Sequence, residues 1–399
     1  MTVLQRVQRI VIKRDLLATF VMVFLADIAI GTFRPTFSLF ARDLGASLTM
    51  IGVLSGTEGL TRILSSVPIG MISDTKGRKG VLSAGLLIFA MSYFLYTLVP
   101  SPYLLFPIRV MTGLSVASTF FIGIAYVSDV VAKPDQGLTI GLYTSCMGLG
   151  FAIGSSIGGH VAENYGFAAC YRVAALFTLL GFVVLRWGVS DKPVRQRKEG
   201  GETDVSLSAK LGLLVKEPGI LAASLGNLLI SVVLEGTIFS FFPLYAASLS
   251  VSEAAIGSMF SVRALMSTSA RLPTGALTTK FPSRRLMIVA LVLAMMIVFS
   301  ISFIKVPAVL GVVLACEGIA FGMFLAAGHT FVAEHSTESN RGTATGIYNM
   351  AGSVGTALGP FVLGPIADLW GLDTVFWLTG VLVFVGLCVI AYMASRQRR

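Results

Sequence analysis

The chain alternates long apolar stretches with short polar segments along its whole length. Each apolar stretch holds about 20 residues or more, enough to cross roughly 30 Å of hydrocarbon as an α-helix. The pattern predicts an all-α membrane protein with twelve transmembrane helices. The predicted spans are residues 16–41, 48–73, 80–99, 103–128, 137–163 and 168–188, then 218–246, 253–279, 286–305, 308–334, 342–368 and 374–395.

A second regularity is an internal repeat at a fixed offset of 205 residues. The segment Pro68-Ile69-Gly70 recurs as Pro273-Thr274-Gly275, and Asp129 recurs as the homologous acid Glu334. The same offset relates Tyr143, Gly150, Gly154 and Gly159 to Tyr348, Gly355, Gly359 and Gly364. Parallel repeats of this length build many secondary transporters. We therefore expect two pseudo-symmetric six-helix bundles, residues 1–188 and 218–399, joined by a cytoplasmic linker at residues 189–217.

Composition supports a lipid environment. Hydrophobic residues make up 55% of the chain, charged residues only 13%, and the mean hydropathy is +0.84. Soluble domains carry about 25% charged residues, so this class is excluded. The basic N-terminus has no apolar region followed by a small-residue cleavage site, and no removed signal peptide is expected.

Lys and Arg in the short loops set the orientation, because basic residues stay on the cytoplasmic side. With the N-terminus inside, the outer loops keep only Arg42 and Lys305. We expect an integral protein of a prokaryotic plasma membrane with both termini in the cytoplasm. The same asymmetry accounts for the net charge of +10 without a nucleic-acid partner.

The one long polar stretch lies between the two halves. It contains the basic run Arg195-Gln196-Arg197-Lys198 and the pair Gly200-Gly201. The run is interpreted as an inside-retention signal on a flexible tether, with a lipid-binding segment as the alternative. The four cysteines are dispersed, show no metal spacing and are interpreted as packing residues: Cys146, Cys170, Cys316 and Cys388.

A specific motif stands at the end of span two, where the sequence reads Gly70-Met71-Ile72-Ser73-Asp74-Thr75-Lys76-Gly77-Arg78-Lys79. It matches every fixed position of the signature G-x-x-x-D-x-x-G-R-K, and the whole chain resembles the major facilitator superfamily. Gly70 permits close helix approach, Asp74 can meet the N-terminus of a neighbouring helix, and Arg78 can pair with an acid. The resemblance nominates Asp129 as this acid and implies a latch that stabilises the outward-facing state. The latch residues are then Gly70, Asp74, Gly77, Arg78, Lys79 and Asp129.

The second half has lost the acid of this motif. Thr279 stands at the position of Asp74, and Pro282-Ser283-Arg284-Arg285 replaces the Gly-Arg-Lys segment. We therefore expect the latch to be stronger in the first half. The alternative is that Arg78 and Lys79 serve membrane topology alone.

A second signature, Arg109-Val110-Met111-Thr112-Gly113, lies early in span four and resembles the R-x-x-x-G motif of proton-coupled members. An arginine at membrane depth costs at least about 2.5 kcal/mol on insertion scales, so it should face a bundle interior and meet a partner. Asp27, near the middle of span one, is the predicted partner. Alternatively, Arg109 snorkels to the outer interface.

Span five carries Gly150-Phe151-Ala152-Ile153-Gly154-Ser155-Ser156-Ile157-Gly158-Gly159, which is similar to the G-x-x-x-G-P-x-x-G-G motif of drug–proton antiporters. Ser155 replaces the proline, and the proline appears in the duplicate as Pro360. Glycines four apart allow span five to pack closely against the opposite bundle. The resemblance implies a gating helix that uses Gly150, Gly154, Gly158 and Gly159, whereas a glycine-rich run by itself indicates only helix packing.

Few ionisable residues remain inside the spans, and such residues are by default candidates for a transport pathway or for ion coupling. They are Asp27, Arg34, Glu58, Arg62, Arg109, Glu235, Arg263 and Glu317. Glu58 and Arg62 have the i, i+4 spacing of an intrahelical pair. Arg34, near the outer end of span one, can also snorkel.

Glu235 in span seven and Glu317 in span ten have no cationic residue within four positions. A carboxyl group in an apolar cavity can bind and release protons in the working pH range. With Asp27, they are the predicted proton-coupling residues, and the resemblance implies acids with this role on these two helices. The alternative is that each acid pairs across the bundle with Arg263 or another cation.

These features predict a proton-coupled exporter of amphipathic small molecules or drugs that works by rocker-switch alternating access, similar to the twelve-helix drug–proton antiporters. The central site is expected among spans one, four, seven and ten. Its predicted lining is Arg34, Glu58, Arg62, Arg109, Arg263 and Phe242. We expect no cofactor and no metal, because the proton gradient supplies the energy. The carrier is expected to act as a monomer in the bilayer.

Two other functions stay open. A proton symporter or facilitator of a defined metabolite, such as an organic anion or a sugar, is favoured by the four arginines within the spans. A non-transporting scaffold or sensor is disfavoured, because it would not need costly charges inside the membrane. An enzyme is disfavoured further, since the chain has no phosphate-binding glycine loop with its lysine and no nucleophile–base set.

Overall fold

The protein is helical throughout the part that this computed structural model describes, which is residue 10 and residues 12–190, 217–337 and 340–396. No β-strand occurs among these residues. The all-α membrane class predicted from the sequence is therefore confirmed. Residues 191–216, which include the basic run of the linker, lie outside the described residues.

The first half builds its helices from the predicted spans with shifts of a few residues. They are α1, Arg14–Asp43; α2, Leu48–Lys76; α3, Arg78–Tyr96; and α4, which joins Leu105–Val116, a π-helical stretch Ala117–Phe121 and Ile122–Val130. A single helical run, Lys133–Gly188, follows and is interrupted at Gly166, whose φ is 80° and ψ is 168°. Glycine adopts such a positive φ at little cost. We divide the run there into α5, residues 133–165, and α6, residues 167–188.

The second half repeats this order. Its helices are α7, which joins Pro218–Ser231, a π-helical stretch Val232–Phe239 and Phe242–Ser248; α8, Glu253–Leu277; α9, Ser283–Ile301; α10, Pro307–Glu334; α11, Arg341–Trp370; and α12, Leu372–Arg396. Gly371 separates α11 from α12 with a φ of 87°, as Gly166 separates α5 from α6.

Nine helices in the described residues are long and apolar enough to cross a membrane by length and composition, the broken run from Asp135 to Gly188 among them. The helices α2 and α8 are not among the nine, and both carry charged residues in their middle turns, such as Glu58 and Arg263. A charge at bilayer depth lowers the apolar signal of its helix. The exact number of twelve crossings therefore stays a prediction.

The described residues form two compact units, and the first residues of α2 and of α8 each belong to a different unit from the rest of their helix. The first unit holds the residues up to Ala46, residues 57–190 and the segment Val251–Ala264. The second unit holds Ser47–Gly56, residues 217–250 and residues 265–396. The start of α2 thus belongs to the second unit, and the start of α8 belongs to the first. The predicted bundle boundaries, 1–188 and 218–399, stay a prediction.

In the first unit, α5 packs on α1 with its backbone in direct contact. A Cβ placed on Gly150, Gly154 or Gly158 would overlap a carbonyl oxygen of α1 in every case. The hydroxyl of Thr32 donates to the carbonyl of Gly154 over 3.2 Å, which ties the two helices at the middle of this seam. Small residues at helix interfaces permit this close approach in a membrane.

The seam corrects the expectation that span five packs against the opposite bundle through all four of its motif glycines. Gly150, Gly154 and Gly158 recur every four residues and share one helix face, which meets α1. Gly159 is rotated away from that face by one residue and meets the backbone of Glu253 and Gly257 in α8. Among their nearest contacts in the described residues, Gly159 thus meets a helix of the second half and the other three glycines meet α1.

The second unit repeats the seam between α11 and α7. A Cβ on Gly355 would overlap the carbonyl oxygen of Leu228, and one on Gly359 would lie 3.2 Å from Gly236 Cα. Gly355 and Gly359 are the repeat partners of Gly150 and Gly154. The repeat therefore preserves one type of helix contact in both units.

We expect Gly154→Ala to destabilise the protein by about 1–3 kcal/mol, because the added methyl group has no space against the Ile28 carbonyl and the two backbones must separate. Thermal unfolding in detergent measures the effect. Gly141→Ala in the same helix is the matched control, since a Cβ at Gly141 meets nothing within 4 Å. An equal loss of stability in both variants would contradict the packing role of Gly154.

Candidate functional site

Three charged side chains from three helices meet inside the first unit. Arg34 of α1 donates to Glu58 Oε1 over 3.1 Å, and Arg109 of α4 reaches Glu58 Oε2 over 2.7 Å. The side chains of Glu58 and Arg109 are each 6% exposed, and that of Arg34 is 15% exposed. A single carboxylate on α2 therefore joins α1 to α4 through both of its oxygens.

Aromatic rings surround Arg109. Its guanidinium carbon lies 4.1 Å from the centroid of the Phe37 ring and 5.8 Å from that of Phe33. Phe33 in turn contacts the rings of Tyr93 and Tyr96 at centroid distances of 5.2 and 4.9 Å. Cation–π contacts of this kind stabilise a desolvated arginine. The arginine is thus buried among protein groups and does not reach toward an interface.

Arg109 pairs with Glu58, a partner that the sequence did not suggest, and its predicted pairing with Asp27 stays a prediction. Asp27 is buried elsewhere in α1, under the seam with α5, where its Cβ lies 3.0 Å from a Cβ placed on Gly150. The i, i+4 spacing of Glu58 and Arg62 predicts an interaction within α2. The ion pairs with Arg34 and Arg109 also join Glu58 to two other helices, which this local spacing did not indicate.

The space at this cluster is small. The gap there has a cavity volume of about 0 Å³ for a water-sized group, and its lining residues are Ile30, Phe33, Arg34, Glu58, Phe89, Tyr93, Thr112 and Val116. Pockets that hold drug-sized ligands usually measure about 300–1,000 Å³. The arrangement is that of a packed ion-pair network, and substrate would need it to rearrange.

The predicted latch residues meet at the polar end of α2. Arg78 lies 2.6 Å from Asp74, its Nε donates to Asp129 over 3.0 Å, and its Nη1 donates to Ser73 over 3.1 Å. The structure thus brings Asp74, Arg78 and Asp129 together as expected from the resemblance. Gly77 precedes α3 with a φ of 94°, a conformation that favours glycine.

Two details of the latch differ from expectation. No atom of the described residues lies within 4 Å of a Cβ placed on Gly70, so this glycine makes no close helix contact there. In the second half, Ser283 donates to Glu334, and these residues are the repeat partners of Arg78 and Asp129. A hydroxyl–carboxylate contact therefore replaces the ion pair where the acid of the motif is missing.

The predicted proton-coupling acids of the second half lie in the second unit. Glu317 of α10 is fully buried, and Glu235 of α7 is half-buried within the π-helical stretch Val232–Phe239. The Ser240 hydroxyl donates to the carbonyl of Glu235 over 2.6 Å at the end of this stretch. Such single π turns occur often at functional sites. Phe242, which begins the next helical segment, is fully buried.

The family follows from a match along nearly the whole chain. The family model described as Major Facilitator Superfamily matches residues 19–248 and 224–399. The chain belongs to the Major Facilitator Superfamily. This confirms the resemblance carried by the motif at the end of α2, and with it an integral membrane protein of the transporter class that crosses the bilayer several times.

The alignments with related proteins extend over nearly the whole of this chain and nearly the whole of each relative. An uncharacterized MFS-type transporter of Methanocaldococcus jannaschii is 21% identical over 388 residues, which are 96% of this chain and 98% of the relative. The multidrug resistance protein MdtG of Escherichia coli is 25% identical over 399 residues, 97% of this chain and 96% of the relative. A crystal structure of a bacterial homolog of the human lysosomal transporter Spinster has a TM-score of 0.80 at 16% identity and covers 95% of this chain and 96% of its own. This likeness shows the fold.

We expect Glu58→Gln to destabilise the protein by about 3–5 kcal/mol, because it leaves two buried guanidinium groups without their common carboxylate. The free energy of unfolding in mixed micelles measures the loss.

The control is Asp373→Asn, which breaks an exposed pair with Lys305 at 2.9 Å. Hydrogen bonds to Asp373 and Tyr245 raise the pKa of Lys305 above its ordinary value, yet exposed pairs contribute only about 0–1 kcal/mol. A smaller loss for Glu58→Gln than for Asp373→Asn would contradict the network.

Proposed function

We propose that this superfamily member is a proton-coupled antiporter that exports amphipathic small molecules by rocker-switch alternating access. The observation that carries the proposal is the burial of Glu317 in α10 of a carrier whose relatives include a multidrug resistance protein. Placing a carboxyl group inside the membrane costs free energy, so such a group is usually kept only where it serves packing or transport. Protons entering down their gradient would neutralise it in one state, and their release would follow on the other side.

The proposed division of labour follows the asymmetry of the repeat. Glu235 and Glu317 carry protons in the second half, where the repeat partners in the first half, Ile30 and Thr112, cannot titrate. The first half holds its charges in the network of Glu58 with two arginines. Ion pairs on both oxygens stabilise the charged form of Glu58, so we assign it a structural and not a proton-carrying role.

The cytoplasmic latch is the second element of the proposal. Asp74, Arg78 and Asp129 form one cluster, and Asp74 and Asp129 are about half exposed or more. Contacts of exposed charges contribute little to folding. Their energy is nevertheless comparable to the small differences between conformational states, so the cluster is suited to bias an equilibrium without deciding the fold.

The remaining assignments belong to the same proposal. The protein acts as a monomer in a prokaryotic plasma membrane with both termini in the cytoplasm, uses the proton gradient without a cofactor, and catalyses no covalent chemistry. The excess of Lys and Arg in one set of loops supports this orientation.

A proton symporter for an organic anion is the second candidate. Two guanidinium groups, of Arg34 and Arg109, meet at Glu58 inside the first unit, and guanidinium groups suit the recognition of anionic groups such as carboxylates. Export of an amphipathic cation and uptake of an anion predict opposite effects of the same proton gradient. Transport direction therefore separates the two functions.

We expect Glu317→Gln and Glu235→Gln to abolish proton-driven export or lower it at least tenfold, because an amide cannot carry the proton. Proteoliposomes with an imposed pH gradient and ethidium as the amphipathic probe provide the measurement. The control is Asp373→Asn, which removes an exposed carboxylate and should leave export unchanged. Proton-driven export at the normal rate by both glutamine variants would contradict a proton-carrying role of Glu317 and Glu235.

We expect Asp74→Asn to lower ethidium export several-fold while membrane insertion and thermal stability stay normal, because it removes one contact of Arg78 at an exposed site. Asp43→Asn, at the end of α1, controls for the loss of an exposed charge on a helix end. Normal export by Asp74→Asn would exclude the latch.

A further inference from the structure

The first turn of α2 is held by a carboxylate from another helix. Asp368, near the end of α11, accepts the N–H of Leu48 on Oδ1 over 3.0 Å and the N–H of Thr49 on Oδ2 over 2.7 Å. The Ser47 hydroxyl is a further hydrogen-bond partner of this carboxylate. All four residues belong to the second unit. The start of α2 is therefore capped by α11.

The first turn of α8 is held in the same way. Glu163, near the end of α5, accepts the N–H of Ala254 on Oε2 over 2.8 Å, and the Ser252 hydroxyl is a further partner. These residues belong to the first unit. The start of α8 is thus capped by α5, as the start of α2 is capped by α11.

The two contacts are copies related by the internal repeat. The offset of 205 residues carries Glu163 to Asp368, Ser47 to Ser252 and Thr49 to Ala254. The repeat has lost the acid of the α2 motif in its second copy, yet both of these acids remain. We name the contacts the Asp368 clasp, of Asp368 with Ser47, Leu48 and Thr49, and the Glu163 clasp, of Glu163 with Ser252 and Ala254.

Each helix start also carries its own cap, so the clasps are not needed for the helices to begin. Ser47 Oγ accepts the N–H of Met50 over 3.1 Å, and Ser252 Oγ accepts the N–H of Ala255 over 3.3 Å. A helix start offers several N–H groups and a partly positive end that favours a carboxylate. The clasps use this surplus to tie one helix to another.

Behind each clasp the helix backbones touch. A Cβ on Gly52 would overlap the carbonyl oxygen of Pro360, and a Cβ on Gly257 would overlap that of Ser155. Ile51 and Ile256, one turn into α2 and α8, are fully buried. The helix ends joined by each clasp therefore cover an apolar side chain, Ile51 at the Asp368 clasp and Ile256 at the Glu163 clasp.

We propose that Asp368 and Glu163 are positioning residues of the transport cycle, which hold the starts of α2 and α8 in one conformational state and release them in the other. The proposal rests on alternating access as the mode of transport. Each clasp joins the two halves of the sequence, because Asp368 of the second half holds the start of α2 and Glu163 of the first half holds the start of α8. A displacement of one half of the sequence relative to the other would therefore open both. The two clasps therefore open in a single transition.

Cysteine accessibility tests this coupling without any substrate. In a variant whose four native cysteines are replaced by serine or alanine, Ile51→Cys and Ile256→Cys place single thiols behind the Asp368 clasp and the Glu163 clasp. We expect Asp368→Ala to raise the rate of maleimide labelling at both cysteines about fivefold, the ratio that corresponds to the loss of a typical helix cap. Glu163→Ala should do the same, and Asp368→Asn, which keeps one acceptor oxygen, should have an intermediate effect.

The labelling of the cysteine at the other clasp, Ile256→Cys in the Asp368→Ala variant, decides whether the two clasps are coupled. If Asp368→Ala exposes only Ile51→Cys, or neither cysteine, the contact is a local helix cap and the proposal is overturned. Asp43→Ala, at the exposed end of α1, is the control for a lost charge, and thermal unfolding of each variant identifies any that fail to fold. Labelling needs no export, so failure of the antiport proposal leaves this test intact.

Discussion

Close backbone contact at glycines is the constraint on which the rest of the structure depends. Helices in lipid gain little from burying apolar surface against each other, so their association relies on close packing and on polar contacts. The seams of α5 on α1 and of α11 on α7 use the same glycine positions of the repeat. Each seam holds a helix that carries ionisable side chains of its unit, Asp27 and Arg34 on α1 and Glu235 on α7. A side chain larger than hydrogen at these glycines would push the helices apart and shift those ionisable side chains.

Buried charge is the second constraint, and the two units meet it differently. In the first unit, Glu58 serves Arg34 and Arg109 together, which turns three costly side chains into a link between α1, α2 and α4. In the second unit, Glu317 is enclosed in α10, and Glu235 stands on a π-helical stretch. The charges of the first unit thus link three helices through one carboxylate, whereas the acids of the second unit stand on two separate helices.

The repeat is kept where helices touch and broken where they differ in chemistry. The Tyr143 side chain contacts Gly123, and the copy of this contact joins Tyr348 to Gly328. The clasps on α2 and α8 are a further contact that is present in both copies of the repeat. In contrast, the positions equivalent to Arg109 and Asp74 in the second half of the repeat are occupied by the uncharged residues Leu314 and Thr279. Similar helix contacts are therefore kept in both halves of the repeat, whereas the charged side chains are not.

The sequence by itself determined the class of protein, because about 20 consecutive apolar residues have few other uses than spanning a membrane, and the motif at the end of α2 indicated the family. The family resemblance nominated Asp129 as the acid for Arg78, and the two side chains meet in the structure. Local spacing did not indicate the partners of Glu58 on α1 and α4, because i, i+4 positions report only on contacts within one helix. It also missed Glu163 and Asp368, although both are acids repeated at the offset and each is followed three residues later by a glycine with positive φ. Which helix a buried charge or a capping carboxylate meets depends on helix rotation and packing, and only the tertiary structure decided those contacts.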